Sequence, residues 1–136
     1  MAFEVLPHTA DLKIRATGKS LPELFVSAAK GMFSLMVDDP KLFKRGDSFA
    51  TEVKVKAADH ESLLVEWLTE LLGISDIENV YLDRFKISEL TDSQLAAEIS
   101  GARVNGFSTE IKAVTYHDLK VEQTPEGYST EITFDI

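Results

Sequence analysis

The sequence predicts an α+β fold: a mainly antiparallel sheet with two helices packed on one of its faces, in a single domain spanning residues 1–136. Three observations carry this. Two segments have helical periodicity and capping residues at their starts. The segments around and after them alternate apolar and polar residues at the period of a strand. The order is strand, helix, strand, helix and then an uninterrupted run of strands, with no linker, repeat or low-complexity tract. A chain of 136 residues is long enough to bury a sizeable core without disulfides or a structural metal.

Residues 3–6 form a short apolar strand that Pro7 stops, leaving His8-Thr9-Ala10-Asp11 as a turn. A second strand follows, in which Leu12, Ile14 and Ala16 alternate with Lys13, Arg15 and Thr17 before Gly18 closes it. Asp11 then faces with Lys13 and Arg15, away from the core. Ser20-Leu21-Pro22-Glu23 starts a helix, with Ser20 as N-cap, Glu23 as its capping-box partner and Pro22 in the first turn. Leu21, Leu24, Phe25, Ala28, Met32, Leu35 and Met36 recur on one stripe, and Asp38-Asp39-Pro40 ends the helix. A polar loop over residues 41–48, with a Lys44-Arg45-Gly46-Asp47 turn, leads into a half-buried strand of Val53, Val55 and Ala57. Asp59 caps the second helix, whose Leu63, Leu64, Trp67, Leu68, Leu71 and Leu72 make a wide apolar stripe and whose expected C′ residue is Gly73.

Strands are then expected over residues 81–87, 94–100, 111–117, 119–123 and 128–136, with Asn105-Gly106 and Glu126-Gly127 as hairpin turns. The stretch over residues 110–118 reads as a central strand. Alternation sets Ile111, Ala113, Thr115 and His117 against Lys112, Val114 and Tyr116, with apolar content on both faces.

Hydrophobic residues at 44% and charged residues at 27% are ordinary for a globular protein, whereas a formal charge of −9 repels nucleic-acid backbones, so no strong direct nucleic-acid binding is expected. The chain has no cysteine, which excludes disulfides, thiolate catalysis and Cys-zinc sites. No apolar run approaches the roughly 18 residues that span a membrane, and the start lacks a signal-peptide pattern, so a cytoplasmic protein is expected. Phosphate-cradling Gly-rich loops, a Gly-x-Ser-x-Gly elbow and His-Glu-x-x-His are all missing.

What remains is oxygen-donor chemistry. Asp11, Asp135 and the terminal carboxylate of Ile136 are suited to a hard divalent cation, calcium or magnesium/manganese, if the fold gathers them. Solvated terminal carboxylates fit the same residues. His8 reads as a ligand or proton carrier, or as a structural hydrogen-bonding group; His117 as a functional group or a satisfied core residue; Lys112 as an anion-binding or a solvated lysine. The residues themselves stop at a compact α+β domain with a candidate acidic cation site; a chain acting alone through it would be a metal-dependent phosphohydrolase in which His8 or His117 moves a proton.

Three segments in order, His8-Thr9-Ala10-Asp11, Ile111-Lys112-Ala113-Val114-Thr115-Tyr116-His117 and Phe134-Asp135-Ile136, resemble the signatures of the archease family, across essentially the whole chain. The resemblance implies a non-enzymatic accessory protein of tRNA splicing. Its partner would be an RtcB-type RNA ligase, which joins RNA ends using GTP; the family promotes guanylylation of the ligase histidine and multiple turnover. It further implies a metal site at Asp11, Asp135 and Ile136, a functionally important Lys112, and an alternative role as a chaperone-like modulator of a tRNA cytosine-5 methyltransferase. Lys13 departs from the family pattern, where a small residue is common, and is expected to neutralise part of the acidic cluster.

Overall fold

A computed structural model describes residues 2–6, 11–38 and 45–136. Strands β1 (Ala2–Leu6) and β2 (Leu12–Gly18) pair antiparallel, from Ala2 opposite Thr17 to Leu6 opposite Lys13. Helix α1 (Leu21–Leu35) follows, then β3 (Arg45–Lys56), helix α2 (His60–Glu78) and strands β4 (Val80–Leu90) and β5 (Gln94–Val104). The chain ends in the two-residue β6 (Ala113–Val114), β7 (Glu122–Thr124) and β8 (Gly127–Asp135). All strand pairings among the described residues are antiparallel.

These strands form two sheets, not one. The first runs β1-β2-β8-β6, with β7 also on β8; the second runs β3-β5-β4. Helix α1 packs on β1, β2 and β8 of the first sheet and on β4 of the second, and α2 touches β3, β4 and β5 as well as β6. The core therefore lies around two helices that serve both sheets, with Phe25, Phe33, Trp67, Leu68, Ile14 and Phe134 fully enclosed. Phe33 meets Tyr81 edge-on at 5.7 Å and Trp67 meets Phe85 edge-on at 6.1 Å, so aromatic rings couple α1, α2 and β4. The Trp67 indole N–H donates to the carbonyl of Phe25 at 3.0 Å, which satisfies the polar atom that comes with that ring.

Both N-caps match expectation, and the Glu23 carboxylate accepts from Lys19 N at 2.8 Å, one residue before the capping-box position. The Ser20 hydroxyl accepts from Glu23 N at 3.3 Å, and the Asp59 carboxylate accepts from Ser62 N at 2.8 Å. Both helix ends differ from it. Helix α1 ends at Leu35, where the N–H of Met36 turns back to the carbonyl of Phe33 at 3.1 Å, earlier than the Asp38-Asp39-Pro40 signal; Asp39 and Pro40 lie outside the described residues. Helix α2 passes through Gly73 and ends at Asn79, which takes the left-handed conformation at φ 53. Asparagine tolerates that region, and five further residues place Ser75 in the core, where its hydroxyl donates to the Val80 carbonyl at 2.8 Å.

Two turn expectations also change. Arg45, Gly46 and Asp47 belong to β3, across a register irregularity between Arg45 and Ser48, while Lys44 lies outside the described residues. Asn105-Gly106 is no hairpin turn, because β5 and β6 lie in different sheets. The chain crosses between them there, and the N–H groups of Ser108 and Thr109 cap the end of α1 at the Met36 carbonyl, 2.9 and 3.2 Å away. Glu126-Gly127 does close a hairpin, with Thr124 opposite Gly127.

Candidate functional site

The stretch over residues 110–118 is not a central strand. Only Ala113 and Val114 are strand, at the edge of the first sheet beside β8. Ile111 and Val114 are the buried pair, three residues apart, so the strand-like alternation does not survive the fold. The segment is held by its main chain: Lys112 N–H donates to the Asp135 carbonyl at 2.7 Å and Thr115 N–H to that of Thr133 at 3.0 Å. Further along, the Glu61 carboxylate in the first turn of α2 accepts from Val121 N at 2.8 Å.

Register then decides what meets on the face of the first sheet turned away from the helices. Leu12 pairs with Phe134, Lys13 with Thr133 and Arg15 with Glu131. The pairing of β2 with β8 ends at Leu12 and Phe134, so Asp11 and Asp135 adjoin the same end of that pair, with Ala113 opposite Asp135 on the other side. Asp11 is half-buried, and its Oδ1 atom is buried from solvent. Asp135 and Ile136 are exposed. The fold thus brings Asp11, Asp135 and the main chain of Lys112 and Ile136 to one end of one sheet. Among the described residues no three His, Asp or Glu side chains converge closely enough to hold a metal by themselves. The acidic set is two carboxylates and the main-chain oxygen of Ile136, an all-oxygen set of the kind hard cations accept.

Lys13 pairs with Glu131 on the same face. Its ammonium is 3.1 Å from Glu131, one register step further from Asp135, and Glu131 also takes Arg15 at 3.1 Å. Arg15 additionally pairs with Glu4. Glu131 thereby draws the cations of β2 along the sheet. Hydrogen bonds from Lys13, then from Arg15, hold the Glu131 carboxyl below the usual glutamate value. A carboxyl with a lowered folded pKa adds stability above its unfolded value near 4.5 and loses it as pH falls through the folded value. Melts of wild type and Glu131→Gln from about pH 6 to about pH 3 should show wild type falling more steeply below about pH 4.5. Parallel curves would show that the cluster contributes nothing to folding.

His117 is exposed. It lies in a turn closed by Leu119 N–H on the Tyr116 carbonyl at 3.1 Å, with its Nε2 atom 3.3 Å from Asp118. It is neither a core residue nor a neighbour of Asp135. His8 lies outside the described residues. The Lys112 side chain is exposed, and its link to Asp135 runs through the backbone. A polar recess of about 220 Å³ adjoins the face, lined by Lys13, Asp118, Lys120, Glu122 and Glu131 among others. Glu131 and Glu61 were not singled out in the sequence. The alternation of β8 put Glu131 on the face of Asp135, but its partners follow only from the register with β2.

A family model described as the Archease protein family matches residues 3–136. The protein archease of Methanosarcina barkeri is 36% identical, covering 98% of this chain and 95% of its own length. That of Pyrococcus abyssi is 38% identical over 92% of this chain and 91% of its own. The solution structure of Methanobacterium thermoautotrophicum protein 1598 matches with a TM-score of 0.75 at 31% identity, covering 98% of both chains. The crystal structure of an archease, a possible chaperone, from Thermotoga maritima shares the fold, with a TM-score of 0.68 at 21% identity over 96% of this chain and 94% of that one. The chain belongs to the archease family.

Proposed function

We propose that this chain is a cytoplasmic accessory protein that activates an RtcB-type RNA ligase, promoting guanylylation of the ligase histidine and multiple turnover. The observation that supports the reading is the pairing of β2 with β8 up to Leu12 and Phe134, which brings the adjoining Asp11 and Asp135 to one end of the sheet, with the Lys13 ammonium on Glu131. Asp11, Asp135 and the terminal carboxylate of Ile136 would hold a divalent cation, calcium or magnesium/manganese. When bound, the cation supplies positive charge for phosphate oxygens. The protein's own part is to present two carboxylates from paired strands, with Lys112 fixing the end of β8 through the Asp135 carbonyl. Carboxylates gathered at one site repel unless neutralised, which favours cation uptake.

The test is covalent GMP incorporation into such a ligase, with the chain substoichiometric and magnesium or manganese present. Wild type should accelerate it, and Asp135→Asn, or Asp11→Ala with Asp135→Ala, should lose about tenfold or more of the effect while melting as a folded protein. An unaccelerated ligase would remove the activator role, and full activity in the folded double variant would remove the acidic site. A second reading is supported by the Thermotoga maritima neighbour, described as a possible chaperone. In that case the chain forms a complex with a tRNA cytosine-5 methyltransferase and changes its product specificity, which co-purification and product mapping would register.

A further inference from the structure

The outer face of β8 carries one side chain that neither the core nor the ion-pair cluster explains. Thr133 is only 2% exposed, yet it alternates with Glu131 and Asp135 toward the face away from the helices. Its hydroxyl is buried and has no hydrogen-bond partner among the described residues. Its cross-strand partner is Lys13, whose ammonium is already engaged by Glu131. A hydroxyl in that state lowers stability, because it has left water without gaining an interaction, and valine would fill the same space without the penalty. Thr130 makes the contrast. It too is buried with a hydroxyl lacking a partner, but it alternates with Ile132 and Phe134 and faces the core. Thr133 instead stands two residues from Asp135 on one strand face, about 7 Å between Cα atoms, and its partner Lys13 is two residues from Asp11.

We infer that Thr133 is a positioning residue for a divalent cation at the acidic pair: its hydroxyl donates to the Asp11 and Asp135 carboxylate pair as they close on the ion. This rests on the cation reading proposed above and adds to it a residue from outside the oxygen set. A neutral donor fits the place. It orients a carboxylate without competing for the positive charge, as a second lysine would. Because no hydrogen bond among the described residues depends on the hydroxyl, its removal should have opposite effects on folding and on ion binding.

The experiment is isothermal titration of calcium, and separately manganese, into the purified full chain, alongside melts of the ion-free protein. Thr133→Val should melt at or above the wild-type temperature without ions and bind the cation about tenfold or more weakly. Thr133→Ser should restore binding. Thr130→Val should also melt at or above wild type but bind as wild type does. Equal affinity in wild type and Thr133→Val would overturn the inference while leaving the acidic pair in place. A wild type that takes up no cation would overturn both. A Thr133→Val protein that melts lower and binds normally would mark Thr133 as a packing residue only.

Discussion

Trp67→Ala is expected to destabilise the protein by about 3–5 kcal/mol, enough to leave little of the ~5–15 kcal/mol that folded domains of this kind possess. Trp67 is fully enclosed and packs edge-on against Phe85, itself in ring contact with Phe33. Removing the indole opens a cavity where α1, α2 and β4 meet, and the wall is built from three elements that cannot all move inward together. The Phe25 carbonyl also loses the indole N–H. Trp67→Phe, which keeps much of the volume but not the donor, should fall between wild type and alanine. Urea unfolding followed by circular dichroism is the measurement, since the chain has a single tryptophan and its fluorescence disappears with it. A midpoint within error of wild type for Trp67→Ala would mean that the three elements do not share one core.

Gly101→Ala is the second large effect expected, at about 3 kcal/mol, and it arises from crowding. Gly101 sits in β5, the central strand of the second sheet, opposite Phe49 on one side and Leu82 on the other. A methyl group there would collide with the main-chain carbonyl of Tyr81 and come within 2.8 Å of the Leu82 Cα atom. Backbone on a paired strand cannot step aside as a side-chain tip can. The register irregularity between Leu82 and Arg84 lies beside the same pair. Gly73→Ala gives the opposite sign. That glycine lies inside α2 with no atom within 4 Å of a built Cβ, so alanine should add up to about 1 kcal/mol of stability. Thermal melts of the two variants should move in opposite directions from wild type. Equal behaviour would show that glycine acts at Gly101 through chain freedom alone.

Much of this architecture was readable from residues. The alternation of β2 and the caps at Ser20 and Asp59 act within a few neighbours, and sequence states them directly. Faces were readable too: Ile14 and Ala16 are buried while Lys13 and Arg15 alternate with them. What sequence did not contain was register, which depends on how distant strands slide against each other. Register is why the proximity of Asp11 to Asp135, and the pairing of Lys13 with Glu131, emerged only with the fold. The segment around Ile111 misled for a different reason. Its composition suits a strand, but the chain there leaves the second sheet, caps α1 at Met36 and joins the first sheet for only two residues, so tertiary connections overrode local preference. Gly73 likewise looked like a stop, yet Asn79 provides the left-handed residue and the helix gains a further turn.

The pairing of β2 with β8 also sets an order of events. Arg15 and Glu131 touch across 116 residues of sequence, whereas β3, β4 and β5 and both helices come from one continuous stretch of chain. Loop closure is slower and less favourable the more chain it encloses. The second sheet with its helices can therefore collapse first, leaving β2 with one edge open until β8 arrives. As the chain leaves the ribosome, the face bearing Asp11 and Asp135 exists only after this last strand has docked. The acidic pair is thus a marker of completed folding: a molecule that presents both carboxylates together has already closed the longest loop in its fold.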